Sequence, residues 1–311
     1  MLAAALPYGR IMEARTADAP ARIDPAHAAG VMLVTVSAAF FALAGIFTRS
    51  IAAGPWTIAC WRGLVGAAII AAYVFWRGRG PGMWAGLRLG KRGWALAIVS
   101  ALSSIAFITA FKLTYVANVT IIYATVPFMA AALERLMLGE RTRRGTILAA
   151  ALSLAGVAIM MIGGIGTGSL AGNFMAVLMT FGCALYMVMI RKFTDAPVVW
   201  TGAVAAFLLF LVGLIVTDPF DVSGRDAVLM CAFGVSFAAA VILWTEGTRL
   251  VSAAESGLLG SAEVPLAILF AWLFLGELPP AASLGGGAVV IVAVFGYAAR
   301  DLSRKAYAQK E

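Results

Sequence analysis

Ten separate runs of apolar residues dominate the sequence, at approximately 28–48, 54–76, 93–113, 115–136, 145–163, 172–191, 197–216, 226–247, 252–274 and 281–299. A hydrocarbon core about 30 Å thick takes roughly 20 helical residues to cross, and each run is near that length. The runs are too long, and alternate too weakly, to be strands of a membrane barrel. They fill most of the 311 residues and leave no room for a separate soluble domain. With 62% hydrophobic and only 12% charged residues, the predicted fold class is an all-α membrane protein with ten transmembrane helices.

Several chemistries are excluded early. Cys60, Cys183 and Cys231 each stand alone inside an apolar run, which suggests neither a disulfide framework nor a metal site. His27, the one histidine, precedes the first run, so histidine acid–base chemistry within the membrane is absent. Gly164-Ile165-Gly166-Thr167-Gly168 has no preceding strand and no following Lys-Ser/Thr, so it is a turn, not a phosphate loop. Asn118-Val119-Thr120 matches a glycosylation acceptor but lies inside a run. No cofactor and no nucleic-acid partner are expected; the partners are a small-molecule substrate and membrane lipid. A monomer and a homo-oligomer are both compatible with the residues.

The net charge of +8 is distributed by topology. With ten spans and a cytoplasmic N-terminus, the inside segments hold 19 of the 23 basic residues. The outside segments hold three, Arg49, Lys112 and Arg225, and Arg62 lies within the second span. Lys/Arg excess marks the cytoplasmic side, so both termini are predicted inside. Residues 1–27 lack an apolar core long enough for a signal peptide and are expected to form a disordered cytoplasmic leader. Residues 300–311 are expected to form a cytoplasmic tail.

The chain also repeats itself. Lys112-Leu113-Thr114-Tyr115 returns as Arg249-Leu250-Val251-Ser252, and Leu138-Gly139-Glu140 returns as Leu275-Gly276-Glu277, both 137 positions later. Pro127 and Pro265 recur one residue out of that register. Ala42-Leu43, Arg49 and Pro55 match Ala184-Leu185, Arg191 and Pro197 at a spacing of 142. These matches divide the chain into halves of five spans, at 28–166 and 167–299. An odd number of spans per half makes the repeat inverted, the plan of many secondary transporters.

Trp61-Arg62 in the second span, Ala110-Phe111-Lys112-Leu113 at the third-to-fourth junction, Glu263-Val264-Pro265 and the paired Leu-Gly-Glu motifs resemble the drug/metabolite transporter superfamily, specifically its EamA-type ten-helix members. The first half departs from the second, with Thr125-Val126-Pro127 and no acid. The resemblance implies export of small amphipathic metabolites, foremost hydrophobic or aromatic amino acids, across the bacterial inner membrane. It implies no enzymatic activity, and alternating access around a cavity lined by helices 1, 3, 4, 6, 8 and 9. The aromatic amino acid exporters are the members it is most similar to. Efflux of drugs or nucleoside-type metabolites is the alternative; an intramembrane enzyme or a structural membrane protein is more remote.

Ionisable groups inside a membrane normally face a cavity or a partner, because exposure to lipid is costly. Glu263, on one helical face with Glu255 and Leu259, either binds a substrate amine, carries a coupled proton or fixes the helix near Pro265. Arg62 could meet a substrate carboxylate, but structural pairing or snorkelling to the outer interface is the favoured expectation. Glu246 and Glu134 are expected in gating or interfacial salt bridges, with Arg249 or Arg135. Glu140 and Glu277 are expected to be structural, each near the N-terminus of the next helix. Tyr115, Asn118, Ile122 and Thr125 make a mildly polar stripe at helical spacing. Phe41, Phe107, Tyr123, Tyr186 and Trp244 are the aromatics on the cavity-lining helices that the resemblance names.

Overall fold

A computed structural model describes residues 25–77, 88–139, 144–163, 169–193, 196–250, 259–260 and 262–308. They form twelve α-helices: α1 Pro25–Ala42, α2 Ala44–Ser50, α3 Pro55–Arg77, α4 Gly90–Leu113, α5 Val116–Tyr123, α6 Val126–Leu138, α7 Arg144–Gly163, α8 Leu170–Lys192, α9 Val198–Val216, α10 Gly224–Gly247, α11 Glu263–Leu275 and α12 Ala281–Ala308. No strand occurs among the described residues. The pairs α1–α2 and α5–α6 are each one interrupted span, so twelve helices make ten spans. Seven described segments are long and apolar enough to cross a bilayer by themselves: α1 with α2, α3, α4, α5 with α6, α8, α9 and α10. Leu136, Ile215 and Val292 point outward with more than two thirds of their surface exposed, an arrangement suited to lipid and costly in water.

The packing follows the repeat. With spans numbered in order, each span of the first half corresponds to the span five later. The contacts α3–α9 and α7–α12 map onto themselves under that exchange, while α4–α8 maps onto α1–α10, and α3–α10 onto α4–α9. All six pairs are in contact. Lipid supplies little hydrophobic drive between helices, so close backbone approach carries this packing. At α7–α12 a Cβ on Gly156 would lie 2.6 Å from the Gly286 carbonyl oxygen, so a side chain there would force the helices apart.

Near the centre lies α5, whose residues Val116 to Ile122 are all buried. It contacts α8, α11 and α12, so this first-half helix is packed into the second half. Its span stops at Ala124 because Pro127 lacks an N–H and its ring would clash with the Tyr123 carbonyl. Thr125 repairs part of the break, its hydroxyl donating to the Ile122 carbonyl at 2.7 Å. The chain then restarts as α6, with Pro127 in its first turn. The same device opens α11, where Pro265 follows Glu263. Helices α6 and α11 are 13 residues each and lie 137 positions apart. Gly139 (φ 73°) and Gly276 (φ 63°) end them in the left-handed conformation that glycine adopts without a Cβ penalty.

The described boundaries differ from the expected ones at both ends. Helix α1 starts at Pro25, inside the expected leader, and α12 runs on to Ala308 through most of the expected tail. Residues 1–24, Glu140, the turn at 164–168, and Glu255 lie outside the described residues.

Candidate substrate cavity

Two helix starts in mid-membrane define the candidate site. An unpaired helix N-terminus presents free N–H groups and a partial positive charge, and interrupted spans put such ends beside transported solutes. The α11 start carries Glu263, while the α6 start carries Val126 at the equivalent position. Glu263 is therefore a point at which the two halves differ in charge. The 13 residues of α11 place it about 18 Å along the helix from the Gly276 end, well inside a hydrocarbon core of about 30 Å. A turn at Ala262 separates Leu259 from Glu263, so the expected continuous Glu255–Leu259–Glu263 face is interrupted at α11.

One sequence-predicted residue lies beside this carboxylate, and two more adjoin its neighbours. Tyr123, the last residue of α5, lies within the electrostatic reach of Glu263, as does Cys183 on α8. Tyr186, one helical turn along α8, faces Cys183. Trp244 of α10 lays its ring against Gly260, where an added Cβ would come within 2.6 Å of it. Glu263 makes no hydrogen bond or ion pair among the described residues. Glu263, Tyr123, Cys183 and Tyr186 lie deep among protein atoms yet retain accessible surface. Cys183 was missed because a lone cysteine reads as an apolar packing residue; its i,i+3 relation to Tyr186 was the available signal.

The other expected residues lie elsewhere. Asn118 is fully buried, its amide donating to Thr114 Oγ1 at 3.2 Å and Asn173 Oδ1 at 3.1 Å. It ties α5 to α8 and exposes nothing to a cavity in this conformation. Tyr115 precedes α5 as its N-cap, outside the helix, and Thr125 follows the break, so the expected stripe is not one helical face. Phe41 is half-buried on α1, which packs against α10 and α11. Phe107 packs against both central core clusters and meets Phe111 edge-on at 4.7 Å between centroids.

Arg62 does not snorkel. It is 4% exposed, hydrogen-bonded to Ser104, and surrounded by the rings of Phe107, Phe233 and Phe237. The face of α3 that carries Arg62 packs against α4 and α10, which hold the side chain away from an interface.

Polar latches join the halves at both membrane faces. At one, Arg49 pairs with Glu277 at 2.8 Å, and the second Glu277 oxygen accepts from the Val116 backbone at 2.8 Å. Glu277 thus caps α5, not the helix that follows it as expected. Nearby, Asp226 accepts from the backbones of Ala52 at 3.1 Å and Ala53 at 3.2 Å, and Lys112 donates to the Ile51 carbonyl. At the opposite face Glu246 holds Arg77 and Arg249, both at 3.0 Å, together with the Tyr73 hydroxyl. Glu134 pairs with Arg191 of α8, not with its neighbour Arg135, because α6 and α8 pack side by side.

A separate groove of about 480 Å³ runs between α4 and α8, lined by Ser103, Thr109, Met175, Phe181 and Leu185 among others. None of the sequence-predicted residues lines it. Its rim residues Leu102 and Phe181 are exposed, so it opens toward the lipid side. No group of three or more His, Cys, Asp or Glu side chains that could hold a metal occurs among the described residues.

Comparison with known proteins agrees with this architecture. The model of the EamA-like transporter family matches twice, over residues 28–162 and 170–298. One solved crystal structure is 20% identical and superposes with a TM-score of 0.60, covering 88% of this chain and 96% of its own. At that identity the likeness concerns the fold alone. No curated protein matches the sequence.

Proposed function

The chain belongs to the EamA-like transporter family, and from that premise we propose that it exports small amphipathic metabolites, hydrophobic or aromatic amino acids first among them. Members of the family are multi-pass membrane transporters. The proposed location is the bacterial inner membrane, with both termini in the cytoplasm because 19 of 23 basic residues fall on that side. In that orientation the Arg49 face is external and the Glu246 face cytoplasmic.

One observation carries the choice of substrate: Glu263, without a partner among the described residues, starts α11 beside Tyr123, with Tyr186 next to the adjoining Cys183 and Trp244 against Gly260. A carboxylate in a low-dielectric site attracts an ammonium group, and the aromatic rings accept an apolar side chain. The rings add cation–π attraction for the same ammonium. The latches at the two faces support alternating access, since each links one half to the other and each must open in turn. Glu263 serves as the amine site, and a coupled proton on the same carboxylate is the second role it could fill.

Efflux of preloaded aromatic amino acids from proteoliposomes tests the reading. Saturable flux, competed by compounds with both amine and carboxylate, is the expected result. Flux competed equally by neutral lipophilic drugs or nucleosides would favour the alternative substrates, and no flux across a broad metabolite panel would overturn the proposal.

A further inference from the structure

Arg62 presents a second buried charge, and the membrane interior demands an account of it. The guanidinium carbon lies 4.5 Å from the Phe237 centroid, 5.3 Å from Phe233 and 6.0 Å from Phe107. Rings satisfy the faces of a guanidinium, but its five N–H donors radiate in the plane from the edges. Ser104 is the one hydrogen-bond acceptor for these donors among the described residues, and Nε is buried with no partner. No charged side chain among the described residues faces it. A planar fork with open edges, held rigid by aromatic faces, is complementary to a carboxylate that binds through two oxygens.

Position connects this seat to the pathway. Phe107 packs against two apolar clusters, one that Tyr123 and Cys183 also pack against and one that includes Phe233. Phe107 thus touches Arg62 and joins the cluster on which Tyr123 also packs. The 2.8 Å Arg49–Glu277 contact sets the neighbouring ends of the first and ninth spans at one level. Counting from that level, Arg62 lies about 10 Å deep along α3 and Glu263 about 18 Å deep along α11. Arg62 therefore lies nearer the Arg49 face than Glu263 does, by about 8 Å along the helix axes.

We propose that Arg62, Ser104 and the rings of Phe107, Phe233 and Phe237 form an oxyanion subsite for an organic carboxylate, one station from Glu263 toward the Arg49 face. A substrate carboxylate occupies it after leaving the Glu263 cavity, with Phe107 swinging aside. The subsite deepens the transport reading, resting on it for the path but not for the binding.

Binding of 3-phenylpropanoate and of phenethylamine to the purified full chain separates the two stations, because each probe keeps the ring and one charged group. In phosphatidylcholine nanodiscs, Arg62→Gln weakens 3-phenylpropanoate binding about tenfold or more, the loss of a charge-assisted hydrogen-bonded pair. Phenethylamine binding stays unchanged. Arg62→Lys, which keeps the charge and loses the fork, gives a smaller loss for the carboxylate alone, and carries the test if the glutamine variant does not fold. Carboxylate affinity equal to wild type in Arg62→Lys and in any folded Arg62→Gln protein, or no binding by wild type, overturns the subsite. So does a site that phosphatidylglycerol fills in an Arg62-dependent way, which would make the ligand a lipid phosphate. Absence of flux with Arg62-dependent binding intact counts against transport and leaves the subsite standing.

Discussion

Arg49 and Glu277 meet at 2.8 Å although 228 residues separate them. Arg49 ends the first span, and Glu277 closes the Leu-Gly-Glu motif after the ninth. The Glu277 side chain is 9% exposed and its other oxygen caps α5 through the Val116 N–H. One carboxylate therefore fastens the central helix and the two halves at a single point.

The two partners should not be equivalent on substitution. Glu277→Ala removes both the ion pair and the cap, at a cost of about 1–3 kcal/mol. Arg49 is 35% exposed, so Arg49→Ala costs about 0–1 kcal/mol while Val116 keeps its acceptor. Thermal melting of both variants in detergent checks the order. Equal losses would show that α5 gains nothing from the cap.

Close backbone contact between α7 and α12 gives a second stability test. Gly156→Val places methyl groups where the Gly286 carbonyl already sits, and overpacking of this kind costs about 1–3 kcal/mol. Nothing lies within 4 Å of a Cβ at Gly285, so Gly285→Ala is neutral or slightly stabilising. Melting temperatures that respond equally to the two would refute the packing described for this pair of helices.

Most of this fold is legible in the sequence because it depends on local quantities. Apolar run length places the spans, and the 137-residue echo aligns α6 with α11, down to the glycines that end them. Pro127 and Pro265 were visible as marks of the repeat, but that Pro127 interrupts a span follows from the clash of its ring with the preceding turn. What escaped the sequence depends on which helices lie side by side. Glu134 chooses Arg191 over adjacent Arg135 because α8 packs on α6. Asn118 disappears into a polar contact with Asn173 of the other half. Arg62 stays buried because its face of α3 packs against α4 and α10. Of the cavity, Glu263, Tyr123, Tyr186 and Trp244 could be picked out by residue type; Cys183 needed the rotation of α8.

Glu263→Gln preserves size and hydrogen-bonding capacity while removing the charge that holds a substrate ammonium. Losing a desolvated charge pair weakens binding by about 2 kcal/mol or more, so the KM for an amine-bearing substrate rises at least about tenfold. Proteoliposome efflux at several pH values measures it. Transport and pH profile both unchanged would assign Glu263 to structure. A lost pH dependence with KM preserved would assign it to proton coupling instead of amine binding.

Alternating access makes a demand on the Arg49–Glu277 latch that a static channel does not. If the halves rock about the Glu263 cavity, α2 and the start of the α11–α12 connection must separate once per cycle. The native thiols are removed first by Cys60→Ala, Cys183→Ser and Cys231→Ala. Cysteines are then placed at 49 and 277 and joined by a short bifunctional thiol reagent. The expected result is full loss of efflux on cross-linking, with recovery after reduction when the linker is cleavable. Substrate binding from the Glu246 face persists in the locked protein, because the tie fixes the opposite face only. Efflux continuing at the uncross-linked rate would mean that the Arg49 face need not open, and the two-gate mechanism would fail with it.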